Sequence, residues 1–319
     1  MTTYGYFLSS EEYGPQDLVE QAVLAEDAGF EALWISDHYH PWNDAQGESP
    51  FVWSVIGAIA HATSLPITTA VTCPTVRIHP AIIAQAAATS QLLAGGRFRL
   101  GVGTGENLNE HILGDRWPPT DVRLEMLEEA VEVMRELWTG EQVIHHGRHY
   151  TVENARIFSM PDEPPPVLVS GFGPKAVSLA ARIGDGYVGT SPERELLQQY
   201  RDEGGTGVLQ GGLKICWGPD RDECVRTAHR LWGTSGVPGE ASQELPMPAH
   251  FEQAAELVTE DMTAEKLSCG PDVEAHARSL VEYADAGYDE VYVAQIGGAG
   301  KDFFRFAGEE LLPALREGS

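Results

Sequence analysis

Apolar residues recur along this 319-residue chain in two alternating rhythms, short unbroken runs and longer stretches with helical spacing. The short runs, at residues 4–8, 32–35, 67–71, 97–102, 167–169, 186–188, 213–216 and 290–294, read as strands. Helical periodicity fills residues 15–28, 51–62, 80–93, 121–138, 175–182, 194–200, 222–231, 273–286 and 303–315. The stretch 121–138 is the clearest. There Leu124, Leu127, Val131, Met134 and Leu137 share one face, and Glu125, Glu128, Glu129 and Glu132 form a charged face expected to meet solvent. Eight strands alternating with helices predict a (β/α)8 barrel, in preference to a doubly wound sheet, as a single domain over residues 1–319. Two stretches break the rhythm. Residues 140–165 alternate over short segments around Gly147 and read as a β-hairpin excursion after the fourth barrel unit, ended by Pro164-Pro165-Pro166. Residues 233–265 read as an irregular insertion with short helical segments, loop-like over 233–250, where Gly, Pro and Ser are frequent.

Charge narrows the partners. A formal net charge of −27, with four lysines against 48 acidic residues, argues against nucleic acid and anionic membranes, both of which need clustered cations. No long apolar span and no basic-then-apolar leader is visible, so a cytoplasmic protein is expected. Cys73, Cys216, Cys224 and Cys269 lack C-x-x-C spacing and read as reduced thiols.

In a barrel of this kind the chemistry sits just behind the carboxyl ends of the strands. Those positions carry Asp37, His38 and Trp42 after the second strand, Thr72 and Cys73 after the third, and Glu106 with Asn109 after the fourth. Ser170 and Gly171 follow the fifth, Thr190 and Ser191 the sixth, and Gln295 the eighth. His38-Tyr39-His40 resembles a metal clamp, but the later strands offer Ser170, Thr190 and Gln295 where further ligands would be needed, so no metal is expected. His145, His146 and His149 lie in the hairpin and are expected to face solvent. Gly171-Phe172-Gly173-Pro174-Lys175-Ala176 matches a dinucleotide fingerprint only loosely, because the next strand ends at Thr190 instead of an acidic residue. A glycine loop feeding a helix start still suits a phosphate. A histidine base, a carboxylate and a stacking aromatic together suit hydride transfer from an alcohol, which requires a cofactor because no side chain accepts a hydride.

Ser36-Asp37-His38, Pro41-Trp42, Pro74-Thr75, the run from Gly101 to Glu106 with Asn109 and Glu110, and Gly184-Asp185-Gly186 to Thr190-Ser191 resemble the luciferase-like superfamily. The likeness is to its deazaflavin-dependent branch, typified by F420-dependent glucose-6-phosphate dehydrogenase. It implies coenzyme F420 as cofactor and a homodimer. It further implies His38 as the base for the substrate hydroxyl, Glu106 as the acid serving the coenzyme, and Trp42 as the residue stabilising the reacting pair. Asp37, Ala70, Val71, Thr104, Gly105, Asn109, Ser170, Gly171, Phe172, Gly173 and Thr190 would line the coenzyme, with a cis peptide between Ala70 and Val71. Phosphate-binding lysines of the glucose-6-phosphate enzymes correspond here to Glu193 and Gln253, which predicts an unphosphorylated alcohol or sugar as substrate. Three other readings stand beside this one: glucose-6-phosphate oxidation proper, an FMN-dependent monooxygenase, and a barrel that binds F420 without turnover.

Overall fold

The computed structural model describes residues 2–237 and 240–317. The chain opens with β1 (Thr3–Leu8), α1 (Pro15–Ala28), β2 (Leu33–Ile35), α2 (Val52–Ala62), β3 (Ile67–Thr69), α3 (Pro80–Leu93) and β4 (Phe98–Val102). A short α4 (Asn107–Glu110) and a long α5 (Thr120–Leu137) precede the hairpin strands β5 (Val143–His146) and β6 (Thr151–Ala155). Then come β7 (Val167–Ser170), α6 (Pro174–Ile183), β8 (Gly186–Gly189), α7 (Arg194–Asp202), β9 (Val208–Trp217) and α8 (Arg221–Trp232). After α9 (Ala241–Glu244), α10 (Pro248–Ala255) and α11 (Glu260–Lys266), the chain closes with β10 (Ser268–Gly270), α12 (Val273–Ala286), β11 (Glu290–Gln295), α13 (Lys301–Phe306) and α14 (Leu312–Glu317).

Strands β1, β2, β3, β4, β7, β8, β9 and β11 are all parallel, and β9 pairs with both β8 and β11, which closes an eight-stranded barrel. Burial on both faces is why these strands read as unbroken apolar runs. Between barrel and helices lies the main core, to which α1 contributes Leu18, Ala22 and Ala25. Inside the barrel, the Trp34 indole stacks on Tyr292 at 4.4 Å and donates a 2.8 Å hydrogen bond to Gln210 Oε1. This aromatic layer needs two glycines: a Cβ on Gly212 would stand 2.1 Å from Trp34, and one on Gly5 would stand 2.4 Å from Tyr292.

Several expectations change. The seventh barrel strand starts at Val208, not at 213, because Gln210, Gly211 and Gly212 break the apolar signature: Gln210 and Gly212 face Trp34 inside the barrel, and Gly211 packs under Tyr283 and Tyr288 on the outer side. The third strand ends at Thr69, where the chain crosses a cis Ala70–Val71 peptide. An unpredicted strand, β10, pairs with the end of β9 outside the closed ring. Most of the described chain from 241 to 255 is helical, which corrects the loop expected over 233–250; positions 238 and 239 of that loop lie outside the described residues.

The expected hairpin is present as β5 and β6, with a different attachment. Glu129 on α5 does not face solvent. Its carboxylate accepts from the backbone N–H of Tyr150 at 2.8 Å and of His149 at 3.0 Å, and lies 3.4 Å from His145 Nε2. Only His146 of the three hairpin histidines is exposed; His145 and His149 are largely covered. Hydrogen bonds to a charged group contribute about 1.5–3 kcal/mol. Glu129→Ala is therefore expected to lower stability by about that amount and to speed amide exchange first at His149 and Tyr150. An unchanged unfolding temperature would count against the clasp.

Candidate active site

Glu11, in the loop behind β1, is 2% exposed and organises one side of the barrel mouth. Its Oε2 accepts from Ser36 Oγ at 2.7 Å and Ser9 Oγ at 3.0 Å, and its Oε1 lies 3.4 Å from His38 Nε2. Burial works against ionisation of Glu11, but His38, the Ser36 hydroxyl and Lys214 outweigh it and hold the carboxyl below its ordinary range.

On the other edge of the His38 ring, Nδ1 lies 3.1 Å from Asn109 Nδ2 and 3.2 Å from the His40 carbonyl. Asn109 Oδ1 accepts from the backbone N–H of Tyr39 at 2.9 Å and of His40 at 3.1 Å, so its amide is fixed with Nδ2 toward the imidazole. The imidazole is thus held between the Glu11 carboxylate at Nε2 and Asn109 with the His40 carbonyl at Nδ1, and which nitrogen donates follows from the tautomer. Trp42 packs 5.1 Å from the His38 ring and meets Phe251 edge-on at 5.1 Å, forming an apolar wall. His40 turns away, its Nδ1 lying 2.9 Å from the Leu108 carbonyl.

Beneath His38 lies a buried charge cluster. Asp37 accepts from Arg77 Nη2 at 2.8 Å and from Thr72 Oγ1 at 2.8 Å, while Glu110 accepts from the Arg77 backbone N–H at 2.6 Å and lies 3.4 Å from its Nε. Burial pushes the Glu110 carboxyl up to about 7, with Arg77 opposing the shift.

Beside this wall opens a cavity of about 450 Å³, lined by Val71, by residues 103–106 behind β4, by residues 170–176 between β7 and α6, and by Leu124, Glu240 and Gln243 among others. Two glycines at its far end differ in purpose. A Cβ on Gly171 would come within 2.9 Å of the Ala176 backbone, so Gly171 serves close strand-to-helix packing; one on Gly173 would meet nothing within 4 Å. Gly173 precedes the ten-residue α6, whose N-terminus has no side-chain cap. Free amides and a positive helix end beside open space suit an anionic group such as a phosphate.

The sequence profile of the luciferase-like monooxygenases matches residues 2–290. The chain belongs to this luciferase-like family. F420-dependent glucose-6-phosphate dehydrogenase of Microbacterium testaceum is 34% identical over 332 residues, covering 98% of this chain and 97% of that enzyme. The enzyme of the same name from Nakamurella multipartita is 34% identical over 331 residues, covering 98% and 96%. A solved F420-dependent secondary alcohol dehydrogenase, in complex with an F420-acetone adduct, shares 31% identity and superposes with a TM-score of 0.89 over 99% of both chains.

In this luciferase-like barrel Val71, Thr104, Gly105, Glu106, Ser170, Gly171, Phe172 and Gly173 all reach the cavity wall. Asn109 stands behind that wall and links its two halves, 3.4 Å from Glu106 Oε2 and 3.1 Å from His38. Ala70 sits on the cis peptide beneath Val71, and Asp37 has both carboxylate oxygens engaged by Arg77 and Thr72. Thr190, Glu193 and Gln253 are exposed and outside the cavity lining. Glu193 accepts from Ser191 Oγ at 3.1 Å at the start of α7.

Two buried or half-buried charged residues beside His38 and Trp232 escaped the sequence reading. Glu11 follows β1 and obeys the same strand-end rule that singled out His38, so the signal was present. Lys214 is a lone cation inside the apolar run of β9, and its inward direction depends on a strand start that the sequence obscured.

Proposed function

We propose that this luciferase-like chain is an oxidoreductase that uses coenzyme F420 to move a hydride between its deazaflavin and the carbinol carbon of an unphosphorylated alcohol or sugar. The observation that carries the reading is His38, held between the Glu11 carboxylate and Asn109 at the edge of the cavity that Glu106 lines. F420, when bound, supplies the hydride acceptor. The cradle suits it: the uncapped start of α6 and the open side of Gly173 would hold its phosphate, and Val71 with residues 103–106 would line its ring.

The chain's own residues handle the protons. In the oxidative direction His38 takes the hydroxyl proton, and Glu11 stabilises the charge that the imidazole acquires. Glu106 serves the proton balance of the coenzyme from the cavity side. Trp42 and Phe251 exclude water from the reacting pair, and Asn109 couples the two proton-handling groups through its amide. The preference for an unphosphorylated substrate follows from charge. The Glu11 carboxylate lies beside His38, and a phosphate losing hydration there would need cations in return.

F420 is expected to bind at least about tenfold more tightly than FMN, a gap of about 1.4 kcal/mol. Fluorescence titration of the purified chain with each coenzyme measures this. Equal or reversed affinities would favour an FMN-dependent monooxygenase.

A further inference from the structure

Lys214 projects from the inner face of β9, between the rings of Phe7 and Trp232. Its ammonium lies 4.0 Å from the Trp232 ring centroid and 5.3 Å from that of Phe7. Such aromatic faces attract a cation but offer it no acceptor along the N–H bonds. Among the described residues Lys214 enters no hydrogen bond or direct ion pair.

The two carboxylates nearest in effect, Glu11 and Glu12, are committed elsewhere. Glu11 is engaged by Ser9, Ser36 and His38. Glu12 accepts from the Trp232 indole N–H and, at 2.9 Å, from the Gly297 backbone N–H. The ammonium is nonetheless not sealed. The side chain is half-buried, and the fully enclosed polar atoms without partners belong to Trp53, Asn107, Trp117, Arg123 and His149. Lys214 therefore presents unused donors to accessible space. The space concerned is the substrate side, because Trp232 and Trp42 pack in one apolar cluster and Trp42 touches His38.

We infer that Lys214 determines specificity by donating to a second, uncharged oxygen of the substrate, so that vicinal diols, hydroxy ketones and sugars are preferred over monohydric alcohols. An uncharged oxygen is specified because Glu11, held below its ordinary range, keeps a negative charge close to Lys214, and an added carboxylate or phosphate would meet its repulsion. A plain secondary alcohol leaves the donors unmet, the condition under which a polar site discriminates most strongly.

This inference rests on the oxidoreductase reading, and the experiment separates the two. Wild type, Lys214→Met and Lys214→Gln are compared on 1,2-propanediol, glucose, glucose 6-phosphate and 2-propanol with F420 as acceptor. F420 titration and thermal unfolding of each variant report on folding. The expected result is a loss of kcat/KM at least ten times larger for the diol and glucose than for 2-propanol in Lys214→Met, carried mainly by KM. Lys214→Gln, which keeps an amide donor, should recover part of it. Equal losses across the panel, or none, would overturn the assignment while leaving the hydride-transfer reading intact. If wild type neither binds F420 nor oxidises any alcohol, it is the functional reading that fails. Diol binding followed by tryptophan fluorescence, through Trp232, then tests Lys214 directly. Saturable binding weakened at least tenfold in Lys214→Met supports it, and equal binding or none overturns it.

Discussion

His38→Ala is expected to lose about 10² to 10⁴ of its alcohol-oxidation rate, the usual weight of a general base, while retaining near wild-type affinity for F420. The affinity should survive because His38 stands on the Glu11 and Trp42 side, whereas the cavity is lined by Val71, residues 103–106 and residues 170–176. The rate should fall because no neighbour replaces the imidazole. Glu11 is tied to two serine hydroxyls, and Asn109 offers only an amide. Steady-state kinetics on an accepted alcohol, paired with coenzyme titration, checks both halves. Partial restoration of rate by added imidazole would separate a missing base from a distorted site. Normal turnover would remove His38 from the mechanism.

Arg77→Met is expected to cost about 3–5 kcal/mol of stability, because it strands two buried carboxylates. Arg77 and both its partners are almost fully enclosed, with side-chain exposures of 6% for Arg77 and 1% each for Asp37 and Glu110. Methionine fills the volume of the alkyl stem but returns neither the charge nor the donors. The pH dependence has a definite sign. Glu110 in the folded chain is raised from 4.5 to about 7, so the native state holds a proton that the unfolded chain releases, and stability falls as pH rises through that window. Arg77 opposes the upward shift, so its removal raises the Glu110 carboxyl further and widens the window toward higher pH. The deficit of the variant should therefore grow as pH rises above about 7, where Glu110 ionises in the wild type and stays protonated in the variant, in denaturant titrations. A deficit independent of pH would mean that Arg77 supports the fold through packing alone.

Fold class, the order of the eight barrel strands and the strand-end location of His38, Trp42 and Glu106 were all legible in the sequence. They depend on local properties. A strand buried on both faces must be apolar throughout, a helix beside it must be apolar on one side, and chain order then places the loops. The glycine loop that enters α6 was legible for the same reason, since it is a short-range pattern.

Tertiary structure alone decided the rest, because it concerns partners far apart in sequence. Residues 208–212 look unlike a strand until the barrel closes and Trp34 and Tyr292 fill the space that Gly212 and Gly5 leave open. Glu129 reads as one of a row of solvated glutamates until the hairpin brings the N–H groups of His149 and Tyr150 onto it. Asp37 gives no sign of an ion pair until Arg77, forty residues later, reaches one of its oxygens. Lys214 reads as a blemish in an apolar run until Trp232 and Phe7 enclose its stem and the committed hydrogen bonds of Glu11 and Glu12 leave its ammonium to a ligand. Periodicity records which face of an element is buried; which charge that face meets across the barrel is set only when the ring closes.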